Sequence, residues 1–417
     1  MTGDYDAIIV GAGPGGSSAA ILLALAGWSV ALVEKQAFPR RKVCGACIGA
    51  SNVPLLEILG VAEEFARLAG PELREVALYC DDRAIQAPFP AMPNTAHPWG
   101  RALGRETLDI LLLERARKLG VMVWQPCSLR TIRGRAGAYA CEVETRPGLD
   151  CRVLRASVLI MANGSWEREP GVARPPARRG HDLFAFKATF SRSRLQPGVL
   201  PVISFEGGYG GLVIAEHGRL ILAGCIRRDV LKACRAPGAA RTAGEAFEFH
   251  LRRSTVALRD VLVDARREGP WLGSGPLRTG IRSPWRRSDG QLMIGNAAAE
   301  AHPIIGEGIS MAMQSAWLLC SRLIDAGRAG GSSNALRRAS IDYASEWKRT
   351  FVPRVHLAAT LAHLAMKPSM APLVGPIIRH APGLLTTIAR SAGKARAAPG
   401  VLAAAPSSRI RLPVRTN

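Results

Sequence analysis

The sequence contains few aromatic residues and little lysine. Aromatic residues make up 6% of the 417 residues, and only 8 of the 55 basic residues are lysines. No uninterrupted apolar run reaches the ~18 residues that a membrane-spanning helix needs, so no such span is expected. The first residues, MTGDYD, are acidic and lead directly into a strand-like run, which argues against a secretory signal. A globular cytoplasmic protein of two or three domains is therefore expected.

The sequence also lacks a cysteine pairing pattern and a metal-ligand pattern. Its nine cysteines are scattered without the spacing of a disulfide framework, which indicates a reducing compartment. Cys44 and Cys47 form a C-x-x-C motif, but no second ligand pair completes a zinc site, so no metal is expected. The motif lies in a loop rather than in a thioredoxin-like unit, which disfavours a redox role. The alternative is that Gly45 and its small neighbours let the backbone approach a flat ring.

Acidic residues are absent after Glu346, although eleven lysines and arginines occur in the last 71 residues. Half of the net charge of +22 therefore lies in this tail. A basic tail could contact an anionic membrane or an acidic carrier partner. Because arginine predominates along the whole chain, general composition is the simpler explanation. No specific nucleic-acid motif accompanies the charge, and the sequence does not indicate an oligomeric state.

The most informative pattern that is present covers residues 5–34. A buried strand, glycines at G-x-G-x-x-G spacing, a helix of small residues and a second strand follow one another there. Gly11 suits a tight turn, Gly13 lets a pyrophosphate approach the backbone, and Gly16 lets the helix pack closely on the sheet. Glu34 ends the second strand, where a carboxylate can accept hydrogen bonds from an adenosine ribose. This unit predicts dinucleotide binding at the N-terminus of the helix.

The rest of the chain alternates helices with strands. Helices are expected at 52–69, 104–118, 242–262 and 308–323, and glycine-punctuated hairpins at 184–226. Beyond residue 331, five prolines are expected to break the chain into short helices: Pro353, Pro368, Pro372, Pro376 and Pro382. Residues 397–417 are rich in alanine, proline and arginine and are expected to be disordered.

Three separated motifs occur in one order: GAGPGG at 11–16, LIMANG at 159–164 and GNAAAEAHPIIGEGI at 295–309. Together they resemble the flavoprotein fold of p-hydroxybenzoate hydroxylase. The FPRRKVCG segment and the GEGI helix start make the chain more similar to the geranylgeranyl-reductase and flavin-dependent-halogenase branch of that fold. The resemblance covers about residues 4–330. It implies a non-covalently bound FAD, with NAD(P)H as the electron donor.

The resemblance also implies a set of cofactor contacts. The phosphates are expected at Gly11, Gly13, Pro14, Gly15 and Gly16, and the adenosine ribose at Glu34 beside Lys35. The remaining cofactor contacts that it implies are Lys42, Cys44, Gly45, Arg105, Asn163, Gly164, Gly295, Asn296, Pro303, Gly306, Gly308 and Ile309. Asn163 and Asn296 stand where the family commonly has acids, so hydrogen bonding is kept while charge is lost.

The fold expected from the resemblance is α/β, with a Rossmann-like FAD-binding domain, a β-sheet substrate domain and a C-terminal helical extension. The FAD-binding domain is expected to comprise residues 1–75, 100–180 and 275–330. The substrate domain is expected at 76–99 and 181–274, the helical region at 331–396 and the basic tail at 397–417.

Several functions are compatible with this fold. The first is monooxygenation of a small aromatic or polyketide-like molecule of secondary metabolism through a flavin C4a-hydroperoxide. The second is reduction or oxidation of carbon–carbon double bonds in an apolar substrate, which the apolar helical tail favours. Halogenation is disfavoured because no lysine lies between Lys42 and Lys118 and no W-x-W-x-I-P stretch occurs. A basic scaffold protein that has kept a nucleotide fold is a non-enzymatic alternative, which a yellow purified protein would exclude.

Two residues are candidates for catalysis. His302, beside Pro303, is the best-placed titratable group, and Tyr209 is the one large side chain past the opening Phe of the loop 205–211. Each could instead serve only in packing. The helices within 353–396 are expected to cover the substrate domain and to wall the pocket with apolar side chains.

Overall fold

The computed structural model describes residues 3–80, 83–93, 95, 97–145, 151–165, 180–235, 242–327, 333–367, 369 and 371–404. The strands, in chain order, are β1 (Gly3–Val10), β2 (Val30–Val33), β3 (Cys47–Ile48), β4 (Glu75–Cys80), β5 (Arg83–Pro88), β6 (Arg101–Ala102), β7 (Met122–Trp124), β8 (Ser128–Arg135), β9 (Ala138–Glu144), β10 (Cys151–Met161), β11 (Leu183–Ser191), β12 (Val199–Phe205), β13 (Gly208–Ile214), β14 (Leu220–Arg227), β15 (Arg266–Arg267), β16 (Leu272–Ser274), β17 (Gly280–Ile281), β18 (Leu292–Met293) and β19 (Ala299–Glu300). The helices are α1 (Pro14–Leu25), α2 (Val53–Leu59), α3 (Ala62–Leu68), α4 (Arg105–Lys118), α5 (Arg228–Cys234), α6 (Ala243–Ser254), α7 (Val256–Val261), α8 (Gly308–Ala326), α9 (Ser333–Ala365), α10 (Ala371–His380), α11 (Gly383–Ser391) and α12 (Val401–Ala404).

The first large sheet has the strand order β7-β2-β1-β10-β9-β8, with β18 beside the end of β10. β1 pairs in parallel with β2 on one side and with β10 on the other. Its apolar run is buried on both faces, as a parallel strand between helices requires. α1 begins at Pro14, directly after the glycine turn, and Gly27 follows it with a positive φ of 79°. The strand–turn–helix–strand unit expected over residues 5–34 is therefore present.

The second large sheet has the order β15-β11-β14-β13-β12-β4-β5, with β16 beside β11. Successive side chains of a strand point to opposite faces, and the two faces of this sheet pack on different partners. Tyr79 belongs to a core that includes Phe247 of α6. Leu78, on the other face, belongs to a separate core with Ile378 of α10 and Leu385 of α11. The C-terminal helices therefore cover the face of the sheet that α6 leaves open.

The expectation that Pro353 ends a helix is wrong, because α9 runs through it from Ser333 to Ala365. The neighbouring residues Phe351 and Val355 are buried in the main core, and this packing outweighs the loss of one helical hydrogen bond. α10 likewise runs through Pro376, whereas Pro372 is its second residue, where a proline is tolerated.

Pro382 does separate two helices, since it precedes the first residue of α11. Pro368 lies outside the described residues.

The single helix expected over 52–69 is also wrong. α2 ends at Leu59, and Gly60 adopts a left-handed conformation with φ 70° before α3 starts. Glycine is the residue that accepts this helix-ending conformation without a Cβ penalty.

The expectation of disorder over 397–417 does not hold for its first part. Ala398 and Val401 are buried in the main core, and the Trp317 indole nitrogen donates a 3.0 Å hydrogen bond to the Pro399 carbonyl. Residues 405–417 lie outside the described part of the chain. Within the described ranges, no helix is both long and apolar enough to cross a membrane.

Candidate functional site

A single cavity of about 840 Å³ extends from the β1–α1 turn to α10 and α11. It is lined by all but one of the predicted cofactor contacts, namely Gly11, Gly13, Pro14, Gly15, Glu34, Lys35, Lys42, Cys44, Gly45, Arg105, Asn163, Gly164, Gly295, Asn296, Pro303, Gly306, Gly308 and Ile309. The exception is Gly16, where a Cβ atom would lie 1.8 Å from the Gly11 carbonyl oxygen. Gly16 therefore lets α1 pack closely on the ends of β1 and β10, as expected, but it does not line the cavity as a cofactor contact.

The three sequence motifs meet at the turn after β1. Gly11 has φ +103°, and a Cβ there would lie 2.5 Å from the Ala162 carbonyl oxygen of the second motif. A Cβ on Gly15 would lie 3.0 Å from the carbonyl oxygen of Ala312 in α8, just after the third motif. The loops that follow β1 and β10 and the start of α8 thus border one space, as the fold prediction requires.

Guanidinium groups surround the open space beside Gly13. A Cβ on Gly13 would lie 3.5 Å from Nη2 of Arg105 and 3.7 Å from Nη2 of Arg40. Arg105 is held by two 2.7 Å hydrogen bonds to Asp109, four residues further along α4. These fixed cations lie next to the N-terminus of α1, which itself favours anions. The arrangement suits a diphosphate.

Lys42 adds a third cation to this group. Burial, and then the charges of Arg105 and Arg40, lower the pKa of Lys42 to about 8. Its ammonium lies 3.8 Å from the position of a Cβ on Gly164, beside the second motif. An anion in this space would favour the charged form of Lys42.

Glu34 is buried at the end of β2. Its carboxylate accepts hydrogen bonds of 2.8 Å from the Ala12 backbone N–H, 3.0 Å from the Gln36 N–H and 2.9 Å from Nη1 of Arg40. Arg40 was not among the predicted contacts. The only sign of it in the sequence was the basic FPRRK run that follows the second strand.

Gly295 and Asn296 line the cavity close to the β1–α1 turn, because Ala312 of α8 faces both Gly295 and Gly15. The Gly295 N–H donates a 2.9 Å hydrogen bond to the Ser315 hydroxyl, and Nδ2 of Asn296 donates a 2.9 Å hydrogen bond to the Ser165 hydroxyl. Both residues border the cavity, so the amide oxygen of Asn296 is suited to accept a hydrogen bond from a ligand hydroxyl. Together with the cations and Cβ-free glycines at the turn, these groups fit the diphosphate and the ribityl hydroxyls of FAD.

The two candidate catalytic residues lie against each other. The Tyr209 hydroxyl is 3.2 Å from Nδ1 of His302, and the Thr279 hydroxyl is 3.1 Å from Nε2 of the same ring. Burial, and then the charge of His363, lower the pKa of His302. Burial also raises the pKa of Tyr209 well above its ordinary value. A neutral imidazole therefore lies between the Tyr209 and Thr279 hydroxyls, with one ring N–H to donate and one ring nitrogen to accept.

Both ring nitrogens of His302 thus have partners inside the protein. This fits the alternative in which His302 only packs and orients its neighbours. Tyr209 and His302 nevertheless line the cavity, and a direct catalytic role for either stays a prediction.

The half of the cavity beyond these residues is apolar. Its walls include Val76, Leu78, Phe89, Leu200, Val202, Leu361, Leu364, Ile378, Leu385 and Ile388. These side chains come from β4, β12, α9, α10, α11 and the segment after β5. The prediction that the C-terminal helices wall the pocket with apolar side chains is confirmed.

Sequence reasoning missed Lys394, which lies between α11 and α12. It is buried, it lines the cavity, and its ammonium is 2.8 Å from Oε1 of Glu307. In the sequence it is one of eleven basic residues in the tail, without a motif around it. Only the fold brings it next to the third motif, at Gly306 and Glu307.

Comparisons with known proteins agree with this geometry. A family model described as an FAD binding domain matches residues 4–167. The menaquinone reductase of Mycolicibacterium smegmatis is 27% identical over an alignment that covers 93% of this chain and 91% of that protein. Conditioned medium factor receptor 1 of Dictyostelium discoideum is 26% identical over 77% of this chain, which spans only 64% of that relative's length.

Solved structures show the same fold. The myxobacterial chondrochloren halogenase CndH has a TM-score of 0.75 at 19% identity, covering 94% of this chain and 91% of its own. PqsL of P. aeruginosa, in complex with 2-aminobenzoylacetate, has a TM-score of 0.72 at 21% identity, covering 89% of this chain and all of its own.

The family match over residues 4–167 and the cavity indicate an FAD-binding domain, and the chain as a whole has the p-hydroxybenzoate hydroxylase fold. Its similarity is to flavin-dependent halogenases, the PqsL monooxygenase and menaquinone reductases, and this confirms the predicted resemblance.

Proposed function

We propose that this flavoenzyme reduces a carbon–carbon double bond in an elongated apolar substrate or, in the reverse direction, oxidises the corresponding single bond to a double bond. The observation that carries the proposal is the apolar half of the cavity, which continues directly from the cofactor half. A small polar aromatic substrate would leave much of this wall in contact with water. An isoprenoid-type chain would instead bury it, at about 25 cal/mol for each Å² removed from water.

The alignment with menaquinone reductase supports the same substrate class, because it extends over more than nine tenths of both chains. An alignment of this length extends into the C-terminal helices, which form part of the apolar wall.

FAD, when bound, supplies or accepts the electron pair, and saturation of the double bond also needs a proton. Tyr209 is the proposed proton donor, because burial keeps its hydroxyl protonated and His302 orients it. Solvent protons then restore the hydroxyl. NAD(P)H as the source of electrons stays a prediction.

Monooxygenation of a small aromatic molecule is the second candidate. The Tyr209–His302–Thr279 cluster favours it, because such a cluster could hold a phenol or an enol and shuttle its proton. The sequence alone places monooxygenation before double-bond reduction. The extent of the apolar wall reverses this preference.

An anaerobic reaction separates the two candidates. The holoenzyme is reduced without oxygen and mixed with a menaquinone that carries a long isoprenoid chain, or with oxygen and 2-aminobenzoylacetate. We expect the menaquinone to reoxidise the flavin without oxygen and to keep two added hydrogens after air has returned its ring to the quinone, because these hydrogens then lie on the isoprenoid chain. Reoxidation that requires oxygen, with an aromatic product that gains one oxygen atom, would overturn the proposal in favour of the second candidate.

We also propose that the substrate enters from an anionic membrane surface. Leu364, Ile377 and Leu384 line the cavity and are 38, 58 and 40% exposed, so they form an apolar rim. Lys367 and Arg379 lie within three residues of this rim along the chain, and the tail has no acidic residue to oppose them. Cosedimentation with phosphatidylglycerol vesicles should exceed that with phosphatidylcholine vesicles. Equal binding to both, or to neither, would contradict an anionic docking surface.

A further inference from the structure

A buried ion pair joins the C-terminal segment to the cofactor loops. Nζ of Lys394 lies 2.8 Å from Oε1 of Glu307 and donates a 2.8 Å hydrogen bond to the Gly306 carbonyl oxygen. It also lies 3.5 Å from the sulfur of Cys47. Glu307 directly precedes α8, so the pair sits at the helix start that borders the cavity.

The positive member of the pair borders the cavity and the negative member does not. Lys394, Gly306 and Cys47 all line the cavity, whereas Glu307 is absent from its wall. Burial works against the charge of Lys394, but the ion pair with Glu307 and the hydrogen bond to the Gly306 carbonyl oxygen hold the ammonium charged. Burial raises the pKa of the Cys47 thiol, which keeps it neutral at pH 7. The ammonium of Lys394 therefore places a positive charge on the wall of the cavity.

The backbone around Lys394 is fixed by further contacts. The Ser51 N–H donates a 3.2 Å hydrogen bond to the Lys394 carbonyl oxygen. Gly393 has φ +105°, and a Cβ there would lie 2.7 Å from the guanidinium of Arg354, so a larger residue does not fit. Arg354 in turn donates a 2.9 Å hydrogen bond to the side-chain oxygen of Gln314 in α8. These contacts hold the lysine at one place against the cofactor half.

We infer that Lys394 is a cofactor-site residue whose ammonium, together with the start of α8, stabilises the negative charge of reduced flavin. The C-terminal segment would then help to set the flavin reduction potential as well as wall the substrate half. The inference needs only the FAD site and holds for either of the two proposed reactions. Charges and dipoles that are fixed in a buried site interact strongly with a bound group, because little solvent screens them.

The test is the midpoint potential of the flavin in the purified holoenzyme, measured by equilibration with a redox dye. Lys394→Met should lower the potential, because reduced flavin loses a cation. Glu307→Gln should raise it, because the same cation is no longer balanced by a carboxylate. A tenfold loss of binding of reduced relative to oxidised flavin corresponds to about 30 mV for a two-electron couple.

Controls separate an electrostatic role from a structural one. Lys394→Arg keeps the charge and should stay close to the wild-type potential, as should the double variant Lys394→Met with Glu307→Gln, which removes both charges. Lys367→Met, in the exposed tail, should not change the potential. If Lys394→Met alone does not fold, Glu307→Gln still tests the inference, because its potential should rise whereas that of the double variant should not. Unchanged potentials in Glu307→Gln and in folded Lys394→Met, or shifts of the same sign, would overturn the inference.

Discussion

The two halves of the cavity are built in different ways. The cofactor half is formed by short loops at strand ends, where glycines at 11, 13 and 15 let backbone and ligand come close together. The substrate half is formed by side chains of β4, β12, α9, α10 and α11, which are separated by up to about 300 residues along the chain. The first half therefore depends on backbone space at a few positions, and the second on the sum of many apolar contacts. One substitution should abolish the function of the first half, whereas substitutions in the second should have graded effects.

Gly13→Val should give the largest effect, a loss of FAD affinity of at least a hundredfold, or about 3 kcal/mol. The valine methyl groups would occupy the space between the turn and the guanidiniums of Arg105 and Arg40. A Cβ at this position makes only ordinary contacts with the protein, so the apoprotein should fold. FAD fluorescence titration measures the effect, with Gly383→Val as a control because a Cβ at Gly383 meets no atom within 4 Å. Wild-type FAD affinity in Gly13→Val would contradict the placement of the diphosphate.

Deletion of residues 397–417 should lower the free energy of unfolding by about 3 kcal/mol, because Val401 and Ala398 leave the core and the Trp317 hydrogen bond is lost. Because the deletion destabilises the whole fold, it should reduce FAD binding and substrate binding to a similar extent. Denaturant unfolding measures the loss of stability, and deletion of 405–417 is the matched control, because it keeps Ala398, Pro399 and Val401 in the chain. Equal stability of the two truncated proteins would show that residues 397–404 do not contribute.

FAD affinity should depend on pH through Lys42. The Lys42 pKa is about 8 in the free protein, and a bound diphosphate should raise it, so binding takes up a proton above pH 8. Affinity should then fall as the pH rises above 8, by up to about tenfold per pH unit. Titrations between pH 7 and 9.5 measure this slope. Lys42→Met should bind FAD more weakly at pH 7 and show a flatter profile; an equally steep profile in that variant would assign the proton elsewhere.

Asn296→Asp should have the smallest effect, with FAD affinity unchanged or raised by a few fold. A carboxylate accepts stronger hydrogen bonds from hydroxyl groups than an amide does. Nδ2 of Asn296 now donates to the Ser165 hydroxyl, which can rotate and donate to an aspartate instead. The same titration measures the effect. A sharp fall in occupancy would mean that the amide donor is essential, which Ser165→Ala would test separately.

The cofactor half could be predicted from the sequence because its function depends on local spacing. The order of strand, glycine turn, helix and acid in residues 5–34 of the sequence is also their order in the fold. Every predicted cofactor contact except Gly16 lines the same cavity. Gly60 and Pro353 show the limits of such local rules. A glycine inside an amphipathic pattern ended a helix, and a proline inside another did not, because tertiary packing around Phe351 decided the outcome.

The substrate half could be predicted only in outline. Helical spacing indicated that the tail has apolar faces, but no local pattern says which sheet face they cover. Lys394 and Arg40 were missed because each is one arginine or lysine among many, and only long-range contacts distinguish them. The Tyr209–His302 contact joins residues 93 positions apart and likewise has no local signal.

The central claim is that one continuous cavity holds FAD in one half and an apolar substrate in the other. It is tested most directly by titrating a long-chain menaquinone into the oxidised holoenzyme and following the flavin absorbance, in the wild type and in Leu385→Ala. The ligand should perturb the flavin spectrum, and Leu385→Ala should weaken its binding by at least about tenfold while leaving FAD affinity unchanged. Leu402→Ala, which is exposed and outside the cavity, should behave like the wild type. The absence of any spectral change, or equal binding in the wild type and Leu385→Ala, would contradict the account.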